Sequence, residues 1–255
     1  MNNIIINKQL LHLVISIIAA AIFYSIMKLL FKQTHFGFFR VFSGDEIESV
    51  SSIVKIIIYI AFCYGTLDVF EKRKKLRYEF QAFGLNLLPI QEQLVLSPSQ
   101  VETIKLDILQ RQKNGQEYIL LDLIKKSATQ FRNEQNITDT LHVLDSQLNA
   151  TQDNFEGDLE ISRYIIQAIP TFGFVGTIVE MTAALAYIKD IEKENIISKI
   201  GEAMKCAFDA TVVALIASMI FTFLYHQYIG EVDVFFARAK SNIVDNLISR
   251  IYKGK

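Results

Sequence analysis

Cysteine, histidine and net charge are all scarce in this 255-residue chain, and each scarcity excludes a class of function. The two cysteines, Cys63 and Cys206, fall inside apolar blocks, where a thiol behaves as a small hydrophobe, so neither a disulfide framework nor a metal site is indicated. The four histidines, His12, His35, His142 and His226, stand beside no nucleophile or metal-ligand cluster; no enzymatic reaction and no cofactor are expected. A formal net charge of -1 offers no electrostatic case for nucleic acid. Internal repeats and low-complexity segments are missing too.

What the chain does have is 51% hydrophobic residues gathered into four blocks, at about 10–31, 52–70, 161–188 and 203–228. Each is long enough for an α-helix to cross roughly 30 Å of hydrocarbon. The sequence therefore predicts an all-α integral membrane protein: a transmembrane hairpin over 1–70, a helical cytoplasmic insertion over 71–160, a second hairpin over 161–228 and a tail over 229–255. The small residues Ala19, Ala20 and Ala21 suggest a signal-peptide core. The apolar run, however, continues to Phe31, and only Lys8 precedes it, so cleavage is not expected. Lys72, Arg73, Lys74, Lys75 and Arg77 follow the second block directly, and Arg238, Lys240, Arg250, Lys253 and Lys255 lie in the tail. The polar stretch around Gly44, Asp45, Glu46 and Glu48 has only Lys32 and Arg40 near it. Positive loops stay in the cytoplasm, which places both termini and the insertion there.

Within the insertion, Ser97, Pro98 and Gln100 form an N-cap, a first-turn proline and a capping-box partner. The helix they start carries Val101, Ile104 and Ile108 on one face and is interrupted at Asn114-Gly115, before the apolar run 119–124. Leu141, Leu144, Leu148, Phe155 and Leu159 form another stripe, expected to run on into the third span.

The last two spans are the informative ones. Gly173, Gly176, Thr177, Glu180 and Ala184 share one narrow face of the third; Ala207, Ala210, Thr211, Ala214, Ala217 and Ser218 recur at three- and four-residue steps in the fourth. Lipid gives apolar side chains no reason to leave it, so small faces mark close helix approach. Thr177 lies roughly 16 Å from the outer end of its span and Thr211 roughly 12 Å, similar depths for two hydroxyls. They either line a polar path or bond back to carbonyls four residues earlier.

Pro170-x-x-Gly173-x-x-Gly176-Thr177, followed about 30 residues on by Ala207-Phe208-Asp209-Ala210-Thr211-x-x-Ala214-Leu215, resembles the paired signature of the MotA/TolQ/ExbB proton-channel family. Four spans with an insertion after the second resemble its MotA arrangement more than the three-span one. The resemblance implies a bacterial inner-membrane subunit of an ion-driven rotary motor. Five copies would surround two copies of a single-span MotB/TolR/ExbD-like partner, and an aspartate on that partner would carry H⁺ or Na⁺. It implies an ion path past Thr177 and Thr211 and a face toward the partner helix made of Pro170, Gly173, Gly176, Ala207, Ala210, Ala214 and Ser218. A bare carboxylate in lipid costs at least ~2.5–3.5 kcal/mol, which a ring of hydroxyls would offset.

Charged residues remain to be placed. Glu180 and Lys205 depart from the family's pattern. Lys28, Lys55 and Asp68 lie close enough to span ends to reach the interface. Lys205 and Asp209, four residues apart, are read as a neutralising intramembrane pair facing away from Thr211. Glu180 shares the small face of Thr177 and is read either as an ion relay or as a structural contact of Lys205. The rival from another class is a membrane scaffold or pore-forming oligomer built on the same small faces without a rotating partner.

Overall fold

The computed structural model describes residues 2–34, 41–42, 50–89, 95–186 and 196–251. The polar turns expected at Gly44 to Glu48 and Lys189 to Glu194, and the tail residues Lys253 and Lys255, lie outside them. The described residues form α1 (Asn2–Thr34), α2 (Val50–Phe80), a 3₁₀ turn (Gln81–Leu85), α3 (Pro98–Lys113), α4 (Ile119–Glu134), α5 (Ile137–Gly157), α6 (Glu160–Ala186), α7 (Ile196–Asn246) and a 3₁₀ turn (Ile248–Arg250). They contain no strand, only an isolated bridge between Leu96 and Ile251. Among the described residues four helices are long and apolar enough to cross a membrane, so the chain is an all-α multi-pass membrane protein. Two compact units emerge: Met1–Glu71 with Glu160–His226, and Lys72–Leu159 with Gln227–Lys255.

In the first unit α1 and α2 run antiparallel. His12 meets the Glu71 carboxylate at 2.9 Å, and Phe23 sits edge-on to Tyr59 with ring centroids 5.2 Å apart. Helices in lipid gain little from burying apolar surface against one another, so close packing must hold them. Gly65 supplies it on α2: an added Cβ would stand 2.5 Å from the Phe221 ring of α7. Asp68, expected to reach the interface, instead accepts a 2.7 Å hydrogen bond from Ser162 of α6.

The second unit is built as a water-facing domain is. Ser97 caps α3 with its capping box complete, Pro98 occupies the first turn, and Gly115 takes φ +85°, a conformation that favours glycine, where the chain leaves α3. Val101 and Ile108 are buried; Ile104 is only half-buried. Helix α4 buries Leu120, Leu121, Ile124, Ala128 and Phe131, while Asn136 caps α5, which buries Leu144 and Leu148. Each such large apolar side chain contributes about 1.5–3 kcal/mol. Phe80, Phe83, Phe235 and Phe236 form a chain of edge-on ring contacts with Phe155 at its end. Burial raises the Asp122 carboxyl, but hydrogen bonds and charge from Lys125 and Lys126, each 2.8 Å away, outweigh it and hold the group below the usual aspartate range.

One element differs from expectation, and another runs on past its apolar block. The stripe ending at Leu159 does not run unbroken into the third span: α5 ends at Gly157, Leu159 N–H bonds to Glu156 C=O, three residues back, and α6 starts anew at Glu160. The fourth-span helix, by contrast, continues to Asn246, because Val232, Phe235, Phe236, Ala239 and Ile243 keep a buried helical stripe through the tail.

Candidate functional site

The site is assembled where α6 and α7 approach. Pro170 lies inside α6 and has no N–H, which deprives the Ile166 carbonyl of its helical donor. Ser218 of α7 donates its hydroxyl to that carbonyl at 3.4 Å. The helices then close up. A Cβ at Gly173 would collide with the Ala214 methyl, and one at Gly176 would stand 3.1 Å from Val54 of α2. Ala207, Ala210 and Ala214 are completely buried.

These contacts bear on Pro170, Gly173, Gly176, Ala207, Ala210, Ala214 and Ser218. They are expected to face a partner helix; within one chain Gly173, Gly176, Ala207, Ala210, Ala214 and Ser218 also make contacts between helices. A small-residue stripe marks close approach but does not say whose helix arrives. What the two helices leave open is apolar and bulky: Phe174, Ile178, Met181 and Leu185 on α6, and Phe208, Val212, Leu215 and Met219 on α7. Both stripes follow three- and four-residue steps, but in spans apolar on every side the pattern has no polar contrast to reveal them.

Close approach brings Thr177 and Thr211 together, both half-buried. Thr177 Oγ1 lies 3.2 Å from the Gly173 carbonyl on its own helix and 3.1 Å from the Ala207 carbonyl opposite. Thr211 Oγ1 mirrors it, 3.1 Å from the Gly173 carbonyl and 3.5 Å from that of Ala207. The hydroxyls also hydrogen-bond directly to each other. Back-bonding and cross-bonding thus occur together. A hydroxyl has one proton and two lone pairs, so two protons serve all these contacts and both donors are used within the pair. Toward a ligand the site offers oxygen lone pairs. Such a site accepts a hydrogen bond from a protonated carboxyl or coordinates a cation; it has no spare donor for an anion.

The charged residues are distributed unevenly around this pair. Glu180, one turn along α6, is buried with 8% of its surface exposed, and Asp209 is half-buried; each takes part in a polar or electrostatic interaction. Lys205 is exposed. Lys55 was expected to snorkel to the interface but is only 2% exposed, among the most deeply buried large side chains of the described residues. Sequence reasoning missed it because a lysine near a span end and one folded inward look alike. Among the described residues no three His, Cys, Asp or Glu side chains are grouped to hold a metal ion.

The sequence model of the family described as the MotA/TolQ/ExbB proton channel family matches residues 112–240, just over half of the chain, and its match includes both threonines. No curated protein and no solved structure matches.

Proposed function

The chain belongs to the MotA/TolQ/ExbB proton channel family, and from that premise we propose that it is the ring-forming subunit of an ion-driven rotary membrane motor. Five copies surround two copies of a single-span MotB/TolR/ExbD-like protein in the bacterial inner membrane, with both termini cytoplasmic. H⁺ or Na⁺ passes on a carboxylate of the partner helix, and its passage turns ring and core relative to one another.

The observation that carries this reading is the Thr177–Thr211 hydroxyl pair bonded across α6 and α7. A carboxylate entering lipid bare is costly. Protonated, it donates to a threonine lone pair; carrying a cation, it shares that ion with the same oxygens. Each of five such pairs is an equivalent stop, and a two-fold core cannot match a five-fold ring at every stop at once, so loading and unloading the carboxylate shifts which stop is favoured. The open apolar stripes on α6 and α7 suit neighbours of a ring and a passing helix.

Thr177→Val and Thr211→Val keep shape and remove the hydroxyl. In vesicles holding the chain and its single-span partner, each should lower ion flux about tenfold, the equivalent of one hydrogen bond at roughly 1.4 kcal/mol, with assembly preserved. Full flux through both variants removes the threonines from the ion path.

A further inference from the structure

Glu79 is a buried carboxylate that the ion path does not use. It stands beyond the second apolar block, which ends at Phe70, and past Lys72, Arg73, Lys74, Lys75 and Arg77, a run of charge that hydrocarbon does not hold; yet only 6% of it is exposed. Its Oε2 accepts the Ile119 N–H at 2.8 Å. That amide opens α4, a helix whose N-cap residue, Tyr118, supplies no side-chain bond of its own. The cap therefore comes from α2, 40 residues back in the chain. One residue earlier on each side the grip is repeated, where Tyr78 stacks on Tyr118 with ring centroids 4.8 Å apart.

Ionised, this carboxylate is poorly served. It has about four lone-pair sites, and among the described residues it receives one hydrogen bond and no ion pair. The cation on its own helix, Lys75, is exposed and lies over the Phe155 ring, so it acts on Glu79 only at a distance. Tyr78 and Tyr118 bring no positive charge. Asp122, in the first turn of α4, is held by Lys125 and Lys126; Arg238 of α7 is taken up over the Phe83 ring; the 3₁₀ turn after α2 has no charged residue. Burial therefore outweighs the Ile119 bond and the Lys75 charge, and the carboxyl titrates above the usual glutamate range.

We propose that Glu79 is an acid-tightened latch: it ties α4 to the end of α2, and by taking up a proton while docked it holds α4 more firmly as the surrounding solution acidifies. The protonated carboxyl keeps its carbonyl oxygen for Ile119 and no longer carries a buried charge. Undocked, the same group is an ordinary glutamate that titrates near ~4.3. The gain is fully present below that value and is lost as pH rises through the higher docked one. The latch is independent of the motor reading.

The test uses the full chain in detergent, read by hydrogen–deuterium exchange over 116–124 and by unfolding temperature, with variants compared at equal pH so that the response of Asp122 cancels. Glu79→Gln keeps the acceptor and is neutral throughout. At pH ~8 it should protect this stretch more than the unmodified chain does, and the difference should vanish as pH falls toward ~4. Glu79→Ala removes the cap and should exchange about fivefold faster than Glu79→Gln at every pH, the equivalent of one helix cap. Unfolding temperatures should follow the same order. The proposal is overturned if the gap between the unmodified chain and Glu79→Gln does not change with pH, or if Glu79→Ala exchanges like Glu79→Gln. It is equally overturned if the unmodified chain is the better protected at pH ~8 and loses that advantage in acid, which would make the ionised form the tighter one.

Discussion

At the residue scale the seam between α6 and α7 depends on groups that compensate one another. Pro170 frees the Ile166 carbonyl and Ser218 satisfies it. Ser218→Ala should therefore destabilise the protein by about 1 kcal/mol, the ordinary worth of one hydrogen bond. The same substitution in a Pro170→Ala background should cost much less, because residue 170 regains the N–H that bonds to Ile166. Equal costs in the two backgrounds, measured as shifts in detergent unfolding, would refute this pairing. Threonine spacing was legible in the sequence, and so was the similar depth of Thr177 and Thr211. Their direct bond was not, since hydrogen bonding within a helix and between helices demands the same residue at the same place.

At the element scale, local chemistry announced some boundaries and hid others. Ser97 with Gln100 marked the start of α3, and Asn114-Gly115 its end, because capping and positive φ are local requirements. The break between α5 and α6 had only Gly157 to signal it, and the length of α7 had only Gly230 against it; a single glycine is too weak to decide either. Helix α4 begins without a side-chain cap at Tyr118, and Asp122 in its first turn complements the helix dipole while pairing with Lys125 and Lys126. Its folded carboxyl binds a proton less tightly than an unfolded aspartate, at about 3.9. The stabilisation is thus present above that value and lost as pH falls through it toward the lower folded one. Asp122→Asn should cost no more than about 1 kcal/mol at neutral pH, given its partial exposure, and the gap from the unmodified protein should close below pH ~3.9. A gap that widens with acid would contradict the assignment.

At the scale of the whole molecule, the basic cluster after α2 carries an expectation and makes contacts of its own. Read from the sequence it is expected to set orientation. In the folded second unit, Lys72 donates to the Asp158 carbonyl at 2.5 Å, Arg73 bonds to Glu231, and Lys75 lies over the Phe155 ring, while Lys74 and Arg77 stay exposed. Charge counting could suggest the first but not the second, which depends on residues at least eighty positions away. The account's central claim, that this chain forms the ring of a motor around a single-span core, is tested most directly by the mass of the detergent-extracted complex co-produced with a single-span MotB/TolR/ExbD-like protein. The account requires five copies of this chain with two of the partner; a different copy number, or a ring of the same mass whether or not the partner is present, would contradict it.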